Sequence, residues 1–325
     1  MATYKGIQGY SVQKLATDPT VADTVGQLWY NSTSGKFKIS TEGAGAWAAG
    51  ASFNADRSGR GSAGPNSATL MFGGFNPTSS VHGNTEKYDG TTWTELNNLN
   101  TPRAYGASAQ QGTQTAALMG SGTTSAVDGK WCESWDGTCW AEVGDTNVTH
   151  AYTAGNGTST AALAIGTGPP PQALVESWDG TSWTQVGTLT TGRYFLMAAG
   201  TQAAGLAFGG EPFRDVNEEF DGTSWTEVND LNVGRNAGGG AGTQTAALMI
   251  TGLTGPTTFV ATTEKWDGTS WTEVADLATG RSRVGTSGTT GAAIVGGGQT
   301  GPSTIVGTVE VWSDPVYAAK TVTVS

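Results

Sequence analysis

Short runs in which apolar and polar residues alternate, each closed by glycine, follow one another along most of this chain. That period of two predicts β-strands joined by tight turns. The runs are themselves periodic. Glu86-Lys87-Tyr88-Asp89-Gly90-Thr91-Thr92-Trp93 returns at 133–140, 176–183, 218–225 and 264–271, and the closing residues Trp93, Trp140, Trp183, Trp225 and Trp271 fall 47, 43, 42 and 46 residues apart. A unit of that length is the size of one four-stranded propeller blade. Within each unit the aromatic-Asp-Gly step supplies the positive φ of a tight hairpin, so the motif joins two strands. A basic residue recurs ten positions after each tryptophan, at Arg103, His150, Arg193, Arg235 and Arg281. Small-residue strands follow at 112–118, 200–206 and 242–248, and glycine pairs such as Gly209-Gly210 and Gly297-Gly298 close them.

Both ends of the array are incomplete, and they complement each other. One period before Trp93 stands Trp47, followed in register by Arg57 and Phe72-Gly73-Gly74, with no Asp-Gly hairpin ahead of it. One period after Trp266 stands Trp312, followed by Ser313-Asp314-Pro315 and no closing tryptophan. The strand around Trp47 is therefore expected beside the strand ending at Trp312, making one blade from both ends. The predicted fold is all-β, a six-bladed propeller over residues 45–314 without a free edge. Residues 1–44 form a separate segment with a hairpin around Ser34-Gly35, preceded by an extended linker at Asp18-Pro19. Residues 315–325 form a strand-like tail whose alternation suits pairing with a partner or with that hairpin.

Composition narrows the chemistry. Glycine makes up 50 of the 325 residues, and Asp plus Glu exceed Lys plus Arg by 27 to 16, a formal net charge of −11. A polyanion such as nucleic acid is a poor partner for such a surface, as is an anionic membrane. No run of about 18 apolar residues predicts a membrane span, and 1–6 lacks the layout of a secretory signal. His82 and His150 are the only histidines, too few for an ordinary zinc or copper site, and no nucleophile, phosphate-binding or dinucleotide motif is present, so no cofactor is expected. Cys139 takes the place of Thr92, Ser182, Ser224 and Ser270, which reads as a small buried side chain. Cys132 lies across the same hairpin, leaving a disulfide open.

Taken in order, the glycine pair, Glu-x-aromatic-Asp, Trp with Leu or Val three residues on (Leu96, Val143, Val186, Val228, Val274), and then Arg resemble the kelch motif. That family includes enzymes such as galactose oxidase as well as proteins that only bind, so the resemblance implies the fold and leaves function to the site. The string from Ser177 to Trp183 also approaches the Asp box of sialidases, one residue short; in that family the box is structural. Glu86, Glu133, Glu176, Glu218, Glu264 and Glu310 recur once per blade, each with a basic counterpart among Arg57, Arg103, His150, Arg193, Arg235 and Arg281. Six structural ion pairs, within blades or between neighbours, are expected rather than a catalytic or metal-binding ring. The repeated aromatics are assigned to packing between sheets.

Antiparallel strands place the near-identical third-to-fourth hairpins on one face and the second-to-third connections on the other. The latter vary in length and chemistry, as recognition loops do. Phe75, His82, Trp131, Pro170, Phe213, Arg214 and Phe259 are the candidate recognition residues there. In the N-terminal segment, the string around Leu28-Trp29-Tyr30-Asn31-Ser32-Thr33 is similar to segments near the start of tail and appendage proteins of marine bacteriophages, including cyanophages, and the Gly-Thr-Gln-Thr-Ala strands resemble the same proteins. The resemblance implies a non-enzymatic virion protein, a tail fibre, appendage or capsid decoration, held to other virion proteins through residues 1–44 and the C-terminal tail. Leu28, Trp29, Tyr30 and Phe37 are the anchor candidates, a host-surface glycan or protein is the expected ligand, and a homo-oligomer is compatible with the reading. The alternatives are a secreted carbohydrate-binding or carbohydrate-active propeller and a protein-interaction scaffold.

Overall fold

The computed structural model describes residues 12–19, 27–42, 45–78, 80–314 and 317–322. The chain divides into two compact units, one of residues 1–46 with 314–325 and the other of residues 47–313.

In the larger unit every blade is a four-stranded antiparallel sheet. Blades one to five occupy residues 61–96, 107–143, 154–185, 197–228 and 239–274. Blade two shows the pattern, with strands Ala107–Ser108, Ala117–Thr123, Asp128–Trp135 and Trp140–Val143. Its Asp-Gly turn brings Trp135 opposite Trp140. Gly137 takes φ 96° there, and Asp136 Oδ1 accepts the N–H groups of Thr138 and Cys139, both at 2.8 Å. Asp89, Asp179, Asp221 and Asp267 repeat that turn. This is a local reason why the hairpin string is copied so closely: the carboxylate fixes the turn from inside it.

Blade six joins Gly285–Gly288, Ala292–Gly296 and Val309–Ser313 to Ala46–Gly50, so the first propeller strand of the chain is the outer strand of the last blade. Trp47 and Trp312 meet with ring centroids 5.5 Å apart. Blade six also meets blade one. Ser62 Oγ donates to the Thr286 carbonyl, Ser287 Oγ donates to the Gly64 carbonyl, and the Gly298 N–H donates to the Arg57 carbonyl at 2.9 Å.

The core is a set of seams between blades. Between blades one and two, Leu70, Phe72 and Leu99 pack on Met119, Trp135 and Trp140, with the Phe72 and Trp140 centroids 4.8 Å apart. Five similar clusters occupy the other junctions, the blade six to blade one seam holding Phe53, Met71, Tyr88, Trp93, Ile294 and Val309. Each buried large side chain contributes about 1.5–3 kcal/mol by area, and the small strand residues let the sheets come close enough for it. The glutamine of the Gly-Thr-Gln strings is part of the seam as well. Gln244 Nε2 donates to the Gly205 and Phe220 carbonyls of the preceding blade at 3.1 and 2.7 Å, and Gln114 does the same to Thr69 and Tyr88. The glycine pairs end the second strands with two positive φ values, 67° and 107° at Gly73-Gly74. A Cβ on Gly73 would stand 2.5 Å from the Arg103 carbonyl oxygen.

The smaller unit is one sheet in the order Gln13–Leu15, Leu28–Asn31, Lys36–Glu42, Tyr317–Thr321. The hairpin turns at Gly35, with φ 65°, and the tail pairs with the hairpin rather than standing as a separate segment. Two features differ from the sequence reading. Gln13–Leu15 pairs in parallel with Leu28–Asn31, a non-local contact that no local pattern announces. Asp18 is a hub rather than part of a linker: it accepts from Trp29 Nε1 at 3.1 Å and Asn31 Nδ2 at 2.6 Å and lies 3.5 Å from Lys38 Nζ. Residues 1–11, including the segment read for a secretory signal, and residues 20–26, 315–316 and 323–325 lie outside the described residues.

Candidate functional site

The repeated charges come first, because what they do decides what remains for a ligand. The structure pairs Arg57 with Glu86, Arg103 with Glu133, His150 with Glu176, Arg193 with Glu218, Arg235 with Glu264 and Arg281 with Glu310. Each basic residue lies in the connection leading into the blade whose third strand carries its glutamate. Main-chain N–H groups of the same connection complete the carboxylates: Asn100 and Thr101 donate to Glu133 at 2.7 and 3.1 Å, and Thr190 donates to Glu218 at 2.7 Å. Burial lowers the Arg193 guanidinium to about 10, with Glu218 acting against it. In blade three burial alone would raise the Glu176 carboxyl, but hydrogen bonds from His150 and Asn147 outweigh it and hold the group below its ordinary value. These carboxylates are buried and already engaged, an arrangement suited to holding connections in place rather than to moving protons. Among the described residues no group of three His, Cys, Asp or Glu side chains is placed to hold a metal.

Beyond the basic residue, each connection pairs with the second-to-third loop of the blade it enters. The N–H groups of Phe75, Thr123, Gly168, Glu211, Leu253 and Gln299 donate to the carbonyls of Ser58, Ala104, Ala151, Tyr194, Asn236 and Ser282. The connections and the variable loops therefore form one face.

On that face, two positions after each basic residue, stand Gly59, Tyr105, Tyr152, Phe195, Ala237 and Arg283. All six take left-handed φ, between 51° and 66°. Their backbones close a ring about the propeller axis. The N–H of Gly59 donates to Arg283 O, Tyr105 to Gly59 O, Phe195 to Tyr152 O, Ala237 to Phe195 O and Arg283 to Ala237 O, at 2.5–2.9 Å; at blade three the donor to Tyr105 O is Thr153, at 3.3 Å. We call this ring the collar.

Three successive collar positions carry aromatic rings in mutual contact, with centroids 5.0 Å apart for Tyr105 and Tyr152, 4.8 Å for Tyr152 and Phe195, and 5.4 Å for Tyr105 and Phe195. The Arg283 guanidinium lies 5.4 Å from the Phe195 centroid and 5.9 Å from that of Tyr105. Glycine at position 59 is what admits the Tyr105 ring, since a Cβ there would overlap it. Collar residues line a cavity of about 80 Å³, and beneath it a second cavity of about 90 Å³ is lined by first-strand residues including Arg60, Ser62, Ser108 and Thr286. Thr153, Leu196, Gly238 and Val284 line both. Burial raises the Tyr105 hydroxyl above its ordinary value, against the pull of Arg283, and burial with Asp128 does the same for Tyr152. Both are neutral hydrogen-bonding groups at physiological pH.

The loop residues singled out from sequence are distributed over five blades and do not converge. Phe75 reaches the collar, with its ring 5.3 Å from Tyr105. His82 Nδ1 lies 3.2 Å from Asn84 Oδ1, the Trp131 ring covers Gly129, Pro170 is exposed, and Phe213, Arg214 and Phe259 are half-buried in the loops of blades four and five. In the smaller unit Trp29 is 2% exposed and spends its indole N–H on Asp18. Leu28 and Tyr30 are half-buried and Phe37 is 40% exposed. Both thiols are free. The expectation for Cys139 is corrected, since the exposed member of the pair is Cys139 in the turn and the buried one is Cys132. None of the six collar residues carried a mark in the sequence. The signal that locates them is a fixed offset from the basic residue at which residue type changes from blade to blade.

Comparison with known proteins adds fold information only. No protein-family model matches the chain, and no curated protein matches it. Among solved structures, one titled "Structure of YjhT" superposes with a TM-score of 0.68 at 12% sequence identity, over 83% of this chain and 99% of that one. At that identity the similarity shows a shared β-propeller architecture and carries no function across.

Proposed function

We propose that this chain is a non-catalytic display protein of a bacteriophage virion: the unit formed by its two terminal segments attaches it, and the loop face of the propeller recognises a host-surface ligand. The observation that carries the recognition half is the collar. Position two after the basic residue needs only a left-handed backbone, which glycine adopts freely, as at Gly59. The chain instead places Tyr, Tyr, Phe and Arg there, at a cost of order 1 kcal/mol or more apiece. Strained bulky side chains gathered at an axial opening are a reason to look for a ligand. The recurring carboxylates, by contrast, are consumed by the scaffold, which favours binding over catalysis.

The virion half rests on the similarity of the Leu28 to Thr33 string and of the Gly-Thr-Gln strands to phage appendage proteins. It also rests on chain layout. The propeller is entered at Ala46–Gly50 and left at Val309–Ser313, adjacent strands of one sheet, so both leads depart from the hairpin face, opposite the collar. Mass spectrometry of purified, disassembled virions tests it, with the protein expected at stoichiometric level. Its absence from particles overturns the reading. The aromatic collar also favours the second reading, a secreted carbohydrate-binding propeller, which requires the protein in the medium of a producing cell rather than in particles.

A further inference from the structure

We infer that the collar is a binding site for a sugar ring carrying an anionic substituent, a carboxylate or a sulfate, with the ring laid against Tyr105, Tyr152 and Phe195 and the anion on Arg283. The inference rests on the recognition reading above and names the ligand class at that site.

Charge supplies the first argument. Five of the eight arginines are spent on the glutamate pairs. Arg60, Arg214 and Arg283 form no ion pair with a carboxylate among the described residues, and two of these three line the axial cavities. Arg283 hydrogen-bonds the Gln299 side chain and leaves Nε without a partner. Arg60 is 7% exposed, lies with its guanidinium 4.1 Å from the Phe53 centroid and donates through Nη2 to the Arg57 carbonyl, leaving Nε and Nη1 without partners. On a chain of net charge −11, an arginine without a carboxylate counterion at the collar, Arg283, marks a place prepared for a negative group.

Ring chemistry supplies the second. Half-buried aromatic faces next to hydroxyls that stay protonated suit the C–H face and hydroxyl edge of a pyranose. A cavity of about 80 Å³ opening among them has room for one anionic group and the edge of one ring, so the recognised unit is a terminal or branch residue rather than the middle of a polymer.

An acidic peptide is the competing ligand, and the backbone argues against it. Peptides bound as added strands need free N–H and C=O groups. At the collar five of the six N–H groups, all but that of Tyr152, and all six carbonyls are consumed in its hydrogen-bond ring, which leaves no ladder for an added strand.

The test is an array of glucuronate-terminated and galactose-6-sulfate-terminated oligosaccharides with their neutral parents, and hexaglutamate as the peptide, probed with the full chain and two variants. Arg283→Gln removes the cation. Phe195→Gly removes a ring while suiting the left-handed backbone, so its fold is retained, as an unchanged melting temperature will show. The wild type is expected to bind one anionic series at least 10-fold more tightly than its neutral parent, and the series preferred identifies carboxylate or sulfate. Arg283→Gln brings the two within 2-fold of each other, and Phe195→Gly weakens both. Equal binding of neutral and anionic glycans, indifference to Arg283→Gln, preference for hexaglutamate, or no glycan bound at all each overturns the inference. Because particle association is measured separately, such a result removes the ligand class and leaves the virion reading to stand or fall on its own assay.

Discussion

Replacing Glu133 by glutamine isolates what one charge of the buried ring is worth. Glu133 and Arg103 have side chains 1% and 0% exposed, so neither has water to fall back on. Glu133 accepts from Arg103 Nη1 and from the main-chain N–H groups of Asn100 and Thr101, while Arg103 also donates to the Thr101 and Met119 carbonyls, both at 3.0 Å. The amide keeps one acceptor but turns a donor toward one of those N–H groups, and it leaves the guanidinium without a counterion. Breaking a buried pair from one side costs about 3–5 kcal/mol. For a domain of this size each kcal/mol moves the melting temperature by about 2–4 °C, so a fall of roughly 6–20 °C is expected. The double variant Glu133→Gln with Arg103→Met removes the stranded cation and should recover a substantial part of the loss. Differential scanning calorimetry with urea titration reads both. A single variant costing less than about 1 kcal/mol, or a double variant worse than the sum of its parts, refutes the view that the ring is a set of mutually dependent buried charges.

Two further outcomes follow from groups already described. The Glu176 carboxyl is held below its ordinary value by His150 and Asn147 over the opposing effect of burial, and the hairpin aspartates are lowered by the N–H groups they accept. Carboxyls depressed in the folded state stabilise it above their unfolded value of roughly 4 and lose that contribution as pH falls through the folded one. The melting temperature should therefore hold between pH 7 and 5 and drop below about pH 4, whereas a rise on acidification would contradict the assignment. Burial pushes the Cys132 thiol up to about 11 while Cys139 is exposed. Ellman's reagent at pH 8 should find one thiol in the native protein and two after denaturation, and two fast-reacting thiols would show that blade two is not packed as described.

Much of the architecture was legible because it is enforced by repetition. The tryptophan spacing gave blade size, the places of Trp47 one period before Trp93 and of Trp312 one period after Trp266 gave the shared blade, and the recurrence of one acid and one base per period pointed to partners. What stayed hidden depends on geometry that composition does not carry. Gly59, Tyr105, Tyr152, Phe195, Ala237 and Arg283 share a backbone state rather than a chemistry, so they look unrelated until their φ angles are known. Loop variability drew attention to residues such as Trp131 and Pro170, which are spread around the face, while the site that gathers side chains lies in the connections between blades. Gln13–Leu15 is three residues of parallel strand whose partner begins only at Leu28, and Cys139 was misjudged because in the four-residue turn between Trp135 and Trp140 the alternation of inside and outside is interrupted.

The joint in blade six sets an order of assembly during synthesis. Ala46–Gly50 leaves the ribosome before any blade exists, yet its sheet is complete only after Val309–Ser313 has emerged. Meanwhile five finished blades form an arc with sticky apolar flanks at either end, Met71 and Trp93 on one side and Leu248 and Ile250 on the other. Slow translation favours closure of each arc on itself, whereas crowded, rapid production lets the flank of one arc meet that of another, so size-exclusion chromatography of overexpressed protein is expected to show interlinked multimers whose share falls as translation is slowed.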